Sequence, residues 1–228
     1  MTRDVELVVL PDPEGAARAA AERLAEAARA GAAIALSGGS TPRRAFELAA
    51  QLESSWAKAA AWWGDERCVP PHDALSNYRM AREALLDRLS RPPEVHRIHG
   101  ELPAEEAAAA YEAELGETRL DLAFMGLGPD GHTASLFPGA PTLDERERRV
   151  VAAEPGLEPF VPRVTLTLPA LRAAREVLFL VTGAEKADAA RRAFAEEPSK
   201  ATPASLLRAD EGRTVAILDA AAARDLTA

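Results

Sequence analysis

Residues 32–52 read AAIALSGGSTPRRAFELAAQL. The first five, Ala32–Leu36, are apolar without alternation, as expected of a strand covered on both faces. Ser37-Gly38-Gly39 breaks that run, and from Pro42 to Leu52 the composition becomes helical. A buried strand that passes through a glycine turn into a helix is half of a βαβ unit, and such units build parallel sheets.

The same alternation continues on both sides of this stretch. Strand-like runs occur at Glu6–Leu10, Ala57–Trp63, Val95–Ile98, Leu120–Met125, Val150–Ala153, Val164–Thr167, Val177–Val181 and Thr214–Leu218. Helical stretches lie at Pro13–Ala30, Asn77–Leu89, Ala104–Leu115 and Ala184–Glu196. The pattern predicts an α/β fold with a mainly parallel sheet and helices on both faces. No glycine- or serine-rich linker divides the chain and no fixed-period repeat appears, so residues 1–228 are expected to form one domain. The proline-rich stretch Pro138–Pro162 is the least regular part, and reads as a β-hairpin insertion or a loop over the site.

The bulk composition narrows the function. The 228 residues are 47% hydrophobic and 28% charged, enough to bury a core. With 27 basic against 36 acidic residues the formal charge is −9. That argues against a nucleic-acid partner or an anionic membrane, both of which call for a basic face. An acidic chain can still hold an anion through a local cluster of donors. The single cysteine, Cys68, rules out an intrachain disulfide and carries no activating pattern. No apolar run has the length of a signal segment or a membrane span. The expectation is a cytoplasmic protein, compatible with a monomer.

In open parallel sheets, ligands sit beyond the carboxyl ends of the strands, where loops enter helices. Four such loops carry unusual chemistry. In Ser37-Gly38-Gly39-Ser40-Thr41-Pro42, Gly38 and Gly39 let backbone N–H groups approach a bound group. Ser40 or Thr41 is expected to cap the helix, and Pro42 suits its first position. Free N–H groups and the helix dipole then make an anion site, with a plain strand-to-helix turn as the bland alternative. Gly64-Asp65-Glu66-Arg67 places three charges at the next strand exit. Arg67 offers a planar fork for phosphate or carboxylate, although such a run is usually a solvated loop. Ser76 is a plausible cap for the helix that follows.

The third loop, Gly126-Leu127-Gly128-Pro129-Asp130-Gly131-His132-Thr133, formally contains G-x-G-x-x-G. A dinucleotide site needs a long helix from the third glycine, but Pro138-Gly139-Ala140-Pro141 stops any helix after about two turns. What remains is His132 on a glycine-rich strand exit, two residues after Asp130. Neutral imidazole is a natural general base for activating water. A lone histidine is more often a packing residue; its position at a strand exit among three glycines favours the base. The fourth loop, Thr182-Gly183-Ala184-Glu185-Lys186, runs from strand to helix and puts Lys186 about one turn inside, within reach of an anion at the helix start. Only Lys58, Lys186 and Lys200 are lysines in this arginine-rich chain. Arg163 opens another strand and either faces the site or lies on the surface.

Several chemistries are absent from the sequence. It has no G-x-S-x-G elbow, no G-x-x-x-x-G-K-[ST] loop and no histidine or cysteine spacing that signals zinc.

The strings SGGSTP, WGDERCVP followed by SNYR, and above all MGLGPDGHTASLFPG resemble those of the 6-phosphogluconolactonase family. PRVTLTLPAL and VTGAEKADA extend the resemblance in order along nearly the whole chain. It implies a three-layer Rossmann-like fold and hydrolysis of 6-phospho-D-glucono-1,5-lactone in the pentose phosphate pathway, without metal or organic cofactor. It further implies that His132 activates water, with Asp130 or Asp65 orienting the imidazole or the sugar hydroxyls. Gly38, Gly39, Ser40, Thr41, Arg67, Arg163 and Lys186 would hold the phosphate or the developing oxyanion. SGGSTP is also shared with related sugar-phosphate isomerases and deaminases, which follow DGH with a catalytic glutamate. Here Phe137 stands at the matching place, so a deaminase would lack its acid. A sugar-phosphate-sensing domain is the non-enzymatic rival, and the chain lacks the basic DNA-binding segment such regulators carry.

Overall fold

The computed structural model describes residues 5–226. Its strands are β1 (Val5–Leu10), β2 (Ala33–Leu36), β3 (Ala60–Trp63), β4 (Asp65–Arg67), β5 (Glu94–Val95), β6 (Leu122–Met125), β7 (Val150–Ala153), β8 (Arg163–Leu166), β9 (Glu176–Val181) and β10 (Arg213–Asp219). The helices are α1 (Pro13–Ala30), α2 (Ser40–Leu52), α3 (Asn77–Ala84), α4 (Ala104–Leu115), α5 (Leu168–Arg172), α6 (Ala187–Phe194), α7 (Pro203–Leu206) and α8 (Ala220–Ala223).

Seven strands form one sheet in the order β1-β10-β9-β6-β2-β3-β5, and every pair in it is parallel. Unbroken apolar strands suit its middle: β6 and the last five residues of β9 are wholly buried. From β2 the chain steps outward through β3 to β5, then returns to β6 and proceeds the other way through β9 to β10. Right-handed crossovers therefore send α1, α2 and α3 to one face and α4 and α6 to the other. The sheet's direction of progress switches between β2 and β6, and loops from these two neighbours diverge to open a crevice.

Local chemistry sets the helices. Asp12 accepts a hydrogen bond from Gly15 N at 2.8 Å, Pro13 follows at the first turn, and Gly31 closes α1 at φ 78°. The buried stripe of α1 is almost all alanine (Ala16, Ala17, Ala20, Ala21, Ala28), so the helix lies close on α2, β9 and β10. Phe46 of α2 meets Phe124 of β6 with ring centroids 5.6 Å apart, which ties the helix after β2 to its neighbour across the switch. Most of the buried apolar residues form one contiguous cluster, with Trp56, Trp63, Tyr111 and Phe179 among its largest members.

The second sheet, β4-β8-β7, is antiparallel. The Pro138–Pro162 stretch thus leads into a β-hairpin, β7 and β8, joined by residues 154–162. Gly64 couples the two sheets: its N–H donates to Leu36 O at 2.9 Å and its carbonyl accepts from Leu166 N at 2.8 Å.

Four expectations are corrected. The charged run at Asp65–Arg67 is a strand, not a loop, because β8 supplies its hydrogen-bonding edge. The helix from Asn77 ends at Ala84, and a 3-10 turn at Leu86–Arg88 follows; this break buries both Leu85 and Leu86. The strand expected at Val95–Ile98 shrinks to Glu94–Val95 at the sheet edge. The helix expected from Ala184 starts as a 3-10 turn, Ala184–Lys186, and becomes α-helical only at Ala187, so Lys186 precedes α6 and is not a turn inside it.

Candidate active site

A cavity of about 330 Å³ opens at the carboxyl ends of the strands, at the β2/β6 switch point. The exits of β2, β6 and β9 line it, together with Asp65 and Arg67 of β4, Asn77 and Arg163. All ten residues singled out from the sequence belong to these segments, and all except the carboxylate-bearing Asp130 line the cavity directly.

One end is built from backbone. α2 begins at Ser40, with Gly39 as N-cap at φ 103° and no side-chain cap. The expected capping by Ser40 or Thr41 is therefore corrected, as is Pro42 at the first position: the helix starts two residues earlier, because glycine tolerates the turn that the cap requires. Ser40 and Thr41 keep first-turn N–H groups with no intrahelical acceptor, at the positive end of the dipole. Thr41 Oγ1 lies 3.2 Å from Thr182 Oγ1, joining this loop to the β9 exit. Beside them Lys186 is half-buried, and burial lowers its pKa against the opposing charges of Glu185 and Asp130. Its ammonium has no hydrogen-bond partner among the described residues. Asp219 holds the β9 exit, accepting Gly183 N at 3.1 Å and Ala222 N at 2.7 Å. Ser37, 4% exposed, leaves its Oγ in the cavity wall without a hydrogen-bond partner among the described residues.

The β6 exit carries the titratable pair. His132 Nδ1 lies 2.6 Å from Asp130 Oδ1, and the same oxygen accepts His132 N at 3.1 Å. A carboxylate at Nδ1 selects the Nδ1–H tautomer and leaves Nε2 as the free acceptor. Burial pushes the Asp130 carboxyl up, but the hydrogen bonds and charge of His132 outweigh it and the net shift is downward. A tight turn holds the pair, with Gly131 N donating to Gly128 O at 3.0 Å and Gly128 N to His132 O at 2.8 Å. A Cβ on Gly128 would lie 2.0 Å from His132 Nδ1, so this position has to be glycine. The Phe137 ring packs on the imidazole at 4.9 Å.

The small sheet supplies the third wall. Asp65 is buried; its Oδ2 accepts from Ser135 Oγ at 2.6 Å and its Oδ1 from Asn77 Nδ2 at 3.3 Å. Asp130, not Asp65, is thus the carboxylate on the imidazole. Arg67 and Arg163 face each other across the β4–β8 register. Arg67 donates to Leu75 O at 2.7 Å, and Arg163 to Leu157 O at 3.2 Å and Pro159 O at 3.0 Å. Both leave a buried Nε without a hydrogen-bond partner among the described residues. Burial, then the charge of Arg67, lowers the pKa of Arg163. The two adjacent guanidinium groups donate to carbonyls, Arg163 also lies 5.5 Å from the Phe137 ring centroid, and the charges of Asp65 and Glu66 only partly offset the pair at the cavity wall.

Sequence reasoning missed Glu66, Asn77, Ser135 and Asp219. Glu66 is 2% exposed, and its two oxygens accept from Arg67 N, Asn77 N, Tyr78 N and Ser76 Oγ at 2.7–3.0 Å. Burial holds its pKa above the ordinary carboxylate value even against these four donors. Glu66 also satisfies two orphan N–H groups of α3, and so sets Asn77 against Asp65. The one available signal was Ser76, which caps Arg79 N at 3.1 Å as expected.

Comparison with known proteins matches residues 11–216 to the family described as Glucosamine-6-phosphate isomerases/6-phosphogluconolactonase. A 6-phosphogluconolactonase of Homo sapiens is 42% identical over 213 residues, covering 88% of this chain and 83% of its own. One from Streptomyces coelicolor is 37% identical, covering 99% and 96%. The solved structure of 6-phosphogluconolactonase from Trypanosoma cruzi superposes with a TM-score of 0.89 at 31% identity, covering 100% and 99% of the two chains. A monomeric glucosamine-6-phosphate deaminase superposes at 0.87 with 17% identity, a likeness of fold alone.

Proposed function

The chain belongs to the glucosamine-6-phosphate isomerase/6-phosphogluconolactonase family, and on that premise we propose that it hydrolyses 6-phospho-D-glucono-1,5-lactone to 6-phospho-D-gluconate, a step of the oxidative pentose phosphate pathway. The observation that carries this reading is the 2.6 Å contact between His132 Nδ1 and Asp130 Oδ1 beside an anion-receptive helix start.

In the proposed reaction His132 Nε2 accepts a proton from water as the water oxygen bonds to the lactone carbonyl carbon. Asp130 stabilises the imidazolium that forms and keeps the ring oriented. The carbonyl oxygen becomes an oxyanion, for which Arg67 and Arg163 offer charge beside Asp65. Collapse breaks the bond from C1 to the ring oxygen, and the imidazolium returns its proton to that oxygen. The new carboxylic acid then ionises. At the other end the N–H groups of Gly39–Thr41, the paired threonine hydroxyls and Lys186 hold the phosphate. No covalent enzyme intermediate is needed, because the six-membered lactone is already an activated ester.

Phe137 sits where a ring-opening deaminase would place its acid, and its ring packs on His132 without offering a proton. The test is turnover of freshly generated lactone with spontaneous opening subtracted. Hydrolysis well above background supports the assignment; no excess, with ammonia release from glucosamine 6-phosphate instead, would replace it with the deaminase reading.

A further inference from the structure

The turn that carries the Asp130–His132 pair is gripped from outside the cavity. Arg192, in the last turn of α6, donates from Nη1 to Asp130 O and from Nη2 to Pro129 O, each at 3.3 Å. Nη1 also donates to Thr202 Oγ1 at 2.8 Å, and Nε to Asp188 Oδ2 at 2.9 Å. On the same side Ala204 N donates to Gly131 O at 3.0 Å. Arg192 is not among the residues that line the cavity.

Two consecutive carbonyls are therefore bridged by one planar cation. Their peptide planes flank the Asp130 side chain and decide where its carboxylate points. At 3.3 Å each bond is weak by itself, but a guanidinium is a rigid fork, so it sets the two planes relative to each other. Thr202 and Asp188 hold the fork in turn. We infer that Arg192 is a positioning residue for the general base: through the Pro129 and Asp130 carbonyls it aims the Asp130 carboxylate, and with it the Nε2 atom of His132. The inference rests on the reading of His132 as the base.

The experiment compares Arg192→Ala, Arg192→Lys and His132→Ala in the full chain by lactone kinetics. In parallel the imidazole N–H resonance of His132, shifted downfield by its bond to Asp130, is recorded without substrate. For Arg192→Ala the expectation is a kcat lower by about 10- to 100-fold, the cost of a small misplacement of a reacting group. KM should stay within about twofold, since no substrate contact is removed. The resonance should move upfield or broaden. Arg192→Lys keeps the charge but not the rigid planar fork that fixes the two carbonyls relative to each other, and should fall between Arg192→Ala and wild type.

Wild-type kcat with an unmoved resonance in both variants would overturn the inference, as would a loss carried wholly by KM. If Arg192→Ala does not fold, Arg192→Lys decides alone: lowered kcat with unchanged KM supports the clamp, and wild-type kcat overturns it. Retained turnover in His132→Ala would remove the base itself, and the resonance would still report separately whether Arg192 aims Asp130.

Discussion

Ser37–Thr41 and Gly126–Leu136 leave neighbouring strands and line the same cavity, yet they are held in different ways. The first depends mainly on its own backbone, a glycine N-cap and a helix dipole, with a hydroxyl contact to the distant Thr182 added. The second is held by partners far away in the chain. Ser135 reaches Asp65 across 70 residues, its N–H reaches Thr165 Oγ1 at 3.3 Å, and Arg192 reaches Asp130 O from 62 residues on. An anion site needs only N–H groups that converge, which a capped helix supplies wherever it starts. A general base needs one nitrogen aimed at one oxygen, so its loop is fastened on several sides.

The sharpest way to break this contrast is Gly128→Ala, since the new Cβ would lie 2.0 Å from His132 Nδ1 and 2.7 Å from Asp130 Oδ1. The account expects kcat to fall by about 100-fold or more while affinity for 6-phosphogluconate is kept. Steady-state kinetics with a direct binding titration checks both, and an active variant would show that the pair needs no such close turn.

Glu66→Gln tests the distant support. Each Glu66 oxygen accepts two donors, so an amide nitrogen in place of either leaves at least one buried N–H without an acceptor, and unfolding stability should fall by about 2–3 kcal/mol. A denaturant titration measures it, and an unchanged midpoint would mean that α3 is held by other contacts.

On the backbone-built side the effects are smaller. Lys186→Ala should weaken 6-phosphogluconate binding about tenfold, through loss of a charge-assisted hydrogen bond. The pH dependence has a definite sign. The ammonium is charged below its pKa, burial lowers that pKa, and affinity is therefore lost as pH rises through a range below that of an exposed lysine. Calorimetric titration across alkaline pH should show this limb in wild type and its displacement in Lys186→Arg; matching curves would take Lys186 out of the anion site. Thr41→Val, which removes the contact to Thr182, should raise KM only about two- to threefold and leave kcat alone.

The same contrast explains what could be read from residues alone. α1 and α4 appear with the expected bounds because composition, Asp12, Pro13 and Gly31 are local signals. The helix start after Ser37-Gly38-Gly39 and the glycine-rich loop that carries Asp130 and His132 were legible for the same reason. β4 was not, since three charged residues become a strand only when β8 comes alongside. Nor could spacing tell that Glu66 would fold inward onto α3, or which of Asp65 and Asp130 meets the imidazole. Those outcomes depend on contacts between segments tens of residues apart. The Pro138–Pro162 stretch lay between: its strand β7 was apparent, and its closure onto β8 as a hairpin was one of two readings.

The most direct test of the central claim is lactone turnover by wild type and His132→Ala, with spontaneous opening subtracted and 6-phosphogluconate affinity measured on the same preparations. Loss of the base should lower kcat by about 10²–10⁴-fold with affinity unchanged. Turnover that survives the substitution would contradict the assignment of His132 and leave the Asp130–His132 pair a structural turn.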